Sequence, residues 1–246
     1  MAIVLLDLWG VVCDHEAMDI AYRLRMSEFL QREYGGDRRT WLRAHDEAYP
    51  WYVSQIEDAA RQRVPFRTFF DRLDAEHIGK IFSLAGVPFS ATDPLAFSRE
   101  LESRVIESAS ATYPDVPKAV GRLHEEHHRV FIATQAAEWN ASAAIRGAGL
   151  QGVFDGLLTG YGLDAFKSDP QYWERALGRL DAPPADVVVV DDSLTYLEAA
   201  AAQAIPGLLL DRLGAHPASS VPPYVRAVLR HLAALPQYLR SKSVPL

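Results

Sequence analysis

The sequence predicts an α/β fold, a doubly wound parallel sheet interrupted by a block of helices. Three observations predict it. First, Ile3-Val4-Leu5-Leu6, Val130-Phe131-Ile132-Ala133 and Val187 to Val190 are short unbroken apolar runs, the pattern of strands buried on both faces. Second, each run ends in a polar residue and leads into a helical pattern, which gathers the polar groups on one rim of a parallel sheet. Third, from Asp14 to about Ser110 the β-branched runs stop, and Arg, Glu and aromatic residues recur at helical spacing.

Taken in order, the first strand ends in Asp7, and Gly10 in Leu8-Trp9-Gly10-Val11-Val12 marks a sharp turn. Glu16 to Tyr34 reads as one amphipathic helix stopped by Gly35-Gly36. Stretches near Thr40 to Gln62, Pro65 to Ala85 and Asp93 to Ser108 read as further helices, punctuated by Pro50, Pro65 and Pro88. The second strand ends in Thr134-Gln135, with Thr134 a candidate N-cap for a helix beginning near Glu138. Lys167 sits in Phe166-Lys167-Ser168-Asp169-Pro170, ahead of a helix starting near Gln171. The third strand ends in Asp191-Asp192-Ser193, and Tyr224 to Leu239 reads as a terminal helix. No repeat or low-complexity tract interrupts the chain.

Composition narrows the class. The chain has 246 residues, 49% of them apolar, ample for a buried core. A net charge of −7 argues against nucleic acid or an anionic membrane as the main partner. The single Cys13 excludes an intrachain disulfide framework and fits a reducing cytoplasm. The opening apolar run is cut by Asp7, too soon for a signal peptide or a membrane span. The expectation is a cytoplasmic protein, with oligomeric state undetermined.

A strand-end Asp, a strand-end Thr, a Lys and an acidic pair form a coherent chemical set. Asp supplies a nucleophile, acids and a backbone carbonyl are hard oxygen ligands for Mg²⁺, and Lys and Thr offset charge on a transferring phosphoryl group. With Asp7-Leu8-Trp9-Gly10-Val11, Thr134, Lys167 with Asp169-Pro170, and Asp191-Asp192 in this order, the chain resembles the haloacid dehalogenase-like (HAD) hydrolase superfamily from Ala2 to about Leu210. Tyr113-Pro114-Asp115-Val116-Pro117 is also similar to that family's lead-in to its second strand. The resemblance implies a Rossmann-like core of residues 1–13 and 111–246 with a helical cap of residues 14–110. It implies catalytic roles for Asp7, Thr134 and Lys167, and substrate binding by Thr134, Gln135 and Lys167. It also implies Mg²⁺ held by Asp7, the Trp9 carbonyl and Asp192, with Asp191 in support.

One position departs from the family pattern. Most phosphatases of the family carry an Asp two residues after the nucleophile, to protonate the leaving group and then activate water. That position is Trp9, and indole exchanges no proton near neutral pH. Three readings follow. The first is a Mg²⁺-dependent phosphatase working through an aspartyl-phosphate on a small phosphorylated substrate. The second is a dehalogenase-like hydrolase in which Asp7 attacks carbon, since such enzymes carry an aromatic Tyr there. The third is a weakly active scaffold with a binding role. Arg23, Arg25, Trp41, Trp51 and Tyr52 are candidates for contacting substrate from the helical block. Two other motifs are discounted. His124-Glu125-Glu126-His127-His128 contains H-E-x-x-H but closes a helix at the opposite rim, and Gly160-Tyr161-Gly162 mimics a dinucleotide loop with no helix expected to open on it.

Overall fold

The computed structural model describes residues 2–62, 64–217 and 220–242. Its centre is a six-stranded, wholly parallel sheet of β1 (Ile3–Leu6), β2 (Arg129–Thr134), β3 (Gly156–Thr159), β4 (Val187–Asp191), β5 (Gly207–Leu210) and β6 (Val225–Leu229), ordered β3-β2-β1-β4-β5-β6. Alternation along the strands divides the core. Val4, Leu6, Val130, Ile132, Val188 and Val190 pack on one face, whereas Ile3, Leu5, Phe131, Ala133, Val187 and Val189 pack on the other. Both faces are covered, so the strands read as unbroken apolar runs.

Between β1 and the rest of the sheet run α1 (His15–Tyr34), α2 (Arg38–Gln62), α3 (Phe66–Ala85) and α4 (Pro94–Ala109). They share an apolar cluster of their own, including Met26, Leu30, Trp41, Phe82 and Leu101. Asp14 and Asp93 cap α1 and α4 by accepting from Ala17 N and Ala96 N. α1 is less amphipathic than its sequence suggests, for Ile20 and Leu24 stand exposed. Pro50 does not punctuate the helices but lies inside a continuous α2, on an exposed position where water can satisfy the carbonyl it orphans.

The remaining helices are α5 (Val116–Glu125), α6 (Glu138–Gly147), α7 (Gly160–Leu163), α8 (Pro170–Leu180), α9 (Leu194–Ala201) and α10 (Leu235–Lys242). α4 lies tightly on α6, and a Cβ on Gly147 would come within 2.1 Å of the Glu107 carbonyl oxygen. Arg67 fastens α3 to α7, its Nε and Nη2 donating to the carbonyls of Tyr161 and Gly162 at 2.7 and 2.9 Å.

Two sequence expectations are corrected by these elements. Tyr224 to Leu239 is not one helix. Val225–Leu229 is the edge strand β6, paired with β5, and a 3-10 turn over Leu232–Ala234 separates it from α10. A helix does open at Gly160, but it is a single turn, capped by Thr159 and ended by Asp164 at φ 51°. No helix among the described residues is long and apolar enough to cross a membrane.

Candidate active site

Strand order determines where a site can form. β1 is flanked by β2 on one side and β4 on the other, and their registers place Leu6 opposite both Ile132 and Val190. Successive strands are added in one direction from β1 to β3 and in the other from β4 to β6, so a switch point lies between β1 and β4, beside which parallel sheets open a crevice. Asp7 leaves β1 at this point, its N–H still donating to Val190 O at 3.0 Å. Asp191 ends β4 one step away.

Lys167 arrives from the loop before α8, where Asp169 caps the helix through Gln171 N. Its ammonium is wholly buried, 2.5 Å from Asp7 Oδ1 and 2.6 Å from Asp191 Oδ2. The Lys167 N–H donates to Gln135 Oε1 at 2.6 Å, and its Nζ lies 4.8 Å from the centre of the Tyr196 ring. Asp191 is used on both oxygens, Oδ2 by Lys167 and Oδ1 by Ser193 N at 2.9 Å. Asp192 is more exposed, at the mouth. Gly10, at φ 83°, leaves the room that Asp192 occupies.

Carboxylate oxygens of Asp7, Asp191 and Asp192 all lie within 4.8 Å of one another. Burial pushes the Asp7 carboxyl above its ordinary range despite the pull of Lys167. Burial likewise raises Asp191 to about 7, against Lys167 and with a push from Asp7. Asp192 moves up through burial and the proximity of Asp191. Burial alone would lower Lys167, but Asp191 and Asp7 outweigh it and hold the ammonium charged. Three acids thus face one ammonium. A compact, all-oxygen, electron-rich donor set of this kind suits a hard divalent cation such as Mg²⁺.

The other expected residues collect at the same rim. Thr134 is buried at the end of β2, and its Oγ1 accepts from Ala136 N at 3.3 Å. It is not the helix cap expected, since Ala137 occupies that position on α6. Gln135 leaves Nε2 buried without a hydrogen-bond partner among the described residues. Trp9 and Gln135 both line a cavity of about 360 Å³ that runs from this rim toward the helices α1 to α4.

Of the five candidates from the helical block, Tyr52 lines that cavity. Trp41 is buried, its Nε1 donating to Gly35 O, Arg23 pairs with Asp46 at 2.5 Å and Arg25 with Glu28 at 3.1 Å. The zinc-like motif is split, with His124 Nε2 3.3 Å from Asp155 and His128 Nδ1 accepting from Ala2 N.

Sequence reading missed Arg212, which ties the Asp7 loop to the rest of the core. Its Nη2 donates to Val11 O at 2.8 Å, its Nη1 meets Asp115 at 3.1 Å, and its guanidinium stacks on Tyr113. An arginine in a polar loop carries no sequence signal of such a role.

Comparison with known proteins places this arrangement. A protein of Lacticaseibacillus casei, described only as an uncharacterized protein in the fgs 3′ region, is 23% identical over 157 residues, 64% of this chain and 72% of its own. The structure of a HAD phosphatase from Thermococcus onnurineus superposes with a TM-score of 0.64 at 20% identity, covering 97% of this chain and 98% of its own. A defluorinating L-2-haloacid dehalogenase gives 0.69 at 16% identity, over 98% of this chain and 95% of its own. The L-2-haloacid dehalogenase of Xanthobacter autotrophicus with chloropropionic acid covalently bound gives 0.64 at 15%, over 99% and 100%. At such identities these likenesses establish the fold. Residues 1–204, most of the chain, match the haloacid dehalogenase-like hydrolase family, and the chain belongs to that family.

Proposed function

We propose that this protein is a Mg²⁺-dependent phosphatase acting on a small phosphomonoester through an aspartyl-phosphate at Asp7. The observation that carries the reading is the cluster of Asp7, Asp191 and Asp192, the first two paired with the Lys167 ammonium. Attack on a neutral carbon needs one carboxylate and no cation, so it gives no reason to gather three acids. Phosphoryl transfer does, because a cation and an ammonium together offset the charge on the transferring group.

In this reading an Asp7 oxygen forms a bond to phosphorus as the ester P–O bond breaks. Lys167 holds Asp7 in place and, with the Thr134 hydroxyl and Gln135, receives the phosphoryl oxygens. Water then attacks phosphorus and frees Asp7. Asp7, Asp192 and the Trp9 carbonyl would hold Mg²⁺, with Asp191 positioning Lys167. When bound, the ion neutralises phosphoryl charge. Trp9 donates no proton, so the reaction favours esters whose leaving oxygen needs little protonation. Residues 14–110 serve as the cap that closes the substrate in, and residues 1–13 and 111–246 as the core.

The second reading, carbon attack on a 2-haloacid, is favoured by the aromatic Trp9. Charge opposes it. Asp19 and Glu102 line the cavity, and no Arg or Lys does so among the described residues, a poor setting for a second carboxylate.

The test is release of inorganic phosphate from a panel of aryl, acyl and alkyl phosphates with Mg²⁺. Turnover is expected to vanish with chelator and in Asp7→Asn. Halide release from a 2-haloacid, with every phosphate untouched, would overturn the proposal.

A further inference from the structure

Three helices interrupt their buried stripes with polar residues directed at one place. His45 sits among Trp41, Ala44 and Ala48 in α2, Asp74 and His77 among Leu73, Ile78 and Ile81 in α3, and Glu102 among Leu101, Val105 and Ile106 in α4. All four are buried. Glu102 accepts from Asn140 Nδ2 at 3.1 Å and Ser98 Oγ at 3.3 Å, and Asp74 accepts from the Tyr52 hydroxyl at 3.3 Å.

The set is incomplete within the protein. Asp74 Oδ2, His77 Nε2, His45 Nε2 and Asn140 Oδ1 are buried without a hydrogen-bond partner among the described residues. An unsatisfied buried polar atom is costly, and three of these residues, His45, His77 and Asn140, line one cavity, an arrangement waiting for a ligand. His77 and Asn140 line the 360 Å³ cavity directly and are only 4% and 9% exposed.

Charge selects the ligand. Glu102 and Asp19 line the cavity, Asp74 lies behind Tyr52, and no Arg or Lys lines it among the described residues. Arg99, whose charge reaches Asp74, does not line it; it is held by Asp71 at 2.5 Å and lies over the Trp139 ring at 4.0 Å. The walls include the rings of Trp9, Tyr22, Tyr49, Tyr52 and Tyr196. An anion would be repelled. A neutral polyol gains nothing from the acidity of these groups, whereas an ammonium is paired by them as they ionise and is attracted by the ring faces.

We infer that this cavity binds an organic ammonium group on the substrate, with Glu102 and Asp74 as its counter-charges and the tyrosine rings as its walls. The inference takes the identity of the reacting group from the phosphatase reading and its own content from the cavity. Burial, reinforced by Glu102, raises Asp74 to about 9, so Asp74 holds its proton at neutral pH in the empty cavity, and burial raises Glu102 as well. His77, pushed down to about 3 by burial and by His45, and His45, lowered by burial, add no competing cation. Entry of an ammonium favours the ionised acids and so displaces the proton of Asp74.

Calorimetry on the full chain with 4-aminobutan-1-ol against 1,4-butanediol, in two buffers of different ionisation enthalpy, tests this without needing turnover. The amine is expected to bind at least tenfold tighter than the diol, with proton release, and Glu102→Gln to remove that preference. Kinetics then compare 4-aminobutyl phosphate with 4-hydroxybutyl phosphate, with at least a tenfold preference expected for the amine. Equal binding, or none, by amine and diol in wild type overturns the inference, even if phosphates are hydrolysed. Amine binding with proton release but no phosphate released from any ester upholds the cavity assignment and removes the phosphatase reading.

Discussion

A Cβ on Gly10 would lie 2.0 Å from Asp192 Oδ2, so the loop after β1 and the acid after β4 occupy one space that only glycine leaves open. The position also has φ 83°, in the left-handed region. Gly10→Ala must therefore both strain the loop and displace Asp192. The strain alone costs on the order of 1–3 kcal/mol. The larger expected effect is functional, a loss of at least tenfold in Mg²⁺ affinity measured by calorimetry. Unchanged affinity would show that Asp192 does not bind the ion.

The Lys167 ammonium lies between two buried carboxylates, Asp7 and Asp191. Removing one partner of a buried ionic group typically costs about 3–5 kcal/mol, because the remaining charge is uncompensated. Lys167→Met, unfolded in urea with chelator present, is expected to lose about that much at pH 8. The loss should shrink as pH falls through about 7, where Asp191 takes up its proton, and further as the raised Asp7 carboxyl follows. A pH-independent loss would mean that packing, not charge, is what Lys167 contributes.

Much of the site was legible because its residues end strands. β1, β2 and β4 are unbroken apolar runs buried on both faces, and that pattern sets Asp7, Thr134 and Asp191 on one rim. β3 and β5 are four residues each, as is β1, but they read Gly-Leu-Leu-Thr and Gly-Leu-Leu-Leu, without the Ile-Val pair that marks β1 as a strand. β6 was misread because Val225, Leu229, Leu232, Leu235 and Leu239, all buried, mimic helical spacing; the open edge of β5 supplied the pairing that sequence alone does not show. The cavity left a fainter trace. Asp74, His77 and Glu102 stand on buried stripes where a soluble helix should be apolar, and such a misplaced charge is a readable sign.

Those misplaced acids make stability depend on pH. Asp74 binds its proton up to about pH 9 in the folded chain against about 3.9 unfolded. The folded state therefore holds more protons across that interval, and stability falls as pH rises through it, by at most about 1.4 kcal/mol per pH unit for one proton. His77, lowered to about 3, has the opposite sign, its contribution being lost as pH falls below about 6.5. Above that point the acids act alone. Urea unfolding between pH 6.5 and 9 is expected to show declining stability in wild type and a flatter profile in Asp74→Asn, whose amide mimics the protonated acid. Parallel slopes would place Asp74 among ionised carboxylates.

Trp9 offers the sharpest test of mechanism, because it stands two residues past Asp7 in the loop and lines the cavity. If proton donation to the leaving oxygen is what the site lacks, alkyl phosphates suffer most, since alkoxide is a poor leaving group. Aryl phosphates leave without help. General acid catalysis is typically worth about 10²–10⁴-fold. Trp9→Asp is therefore expected to raise alkyl-phosphate kcat by one to two orders of magnitude, below that range because the new carboxyl is not packed for the task. Aryl-phosphate kcat should change little, so the ratio of the two rates is the measurement. Trp9→Phe controls for the ring, retaining an aromatic wall without a proton and leaving the ratio as in wild type. A Trp9→Asp variant that folds, binds Mg²⁺ and leaves the ratio unmoved would show that the leaving group draws its proton from elsewhere.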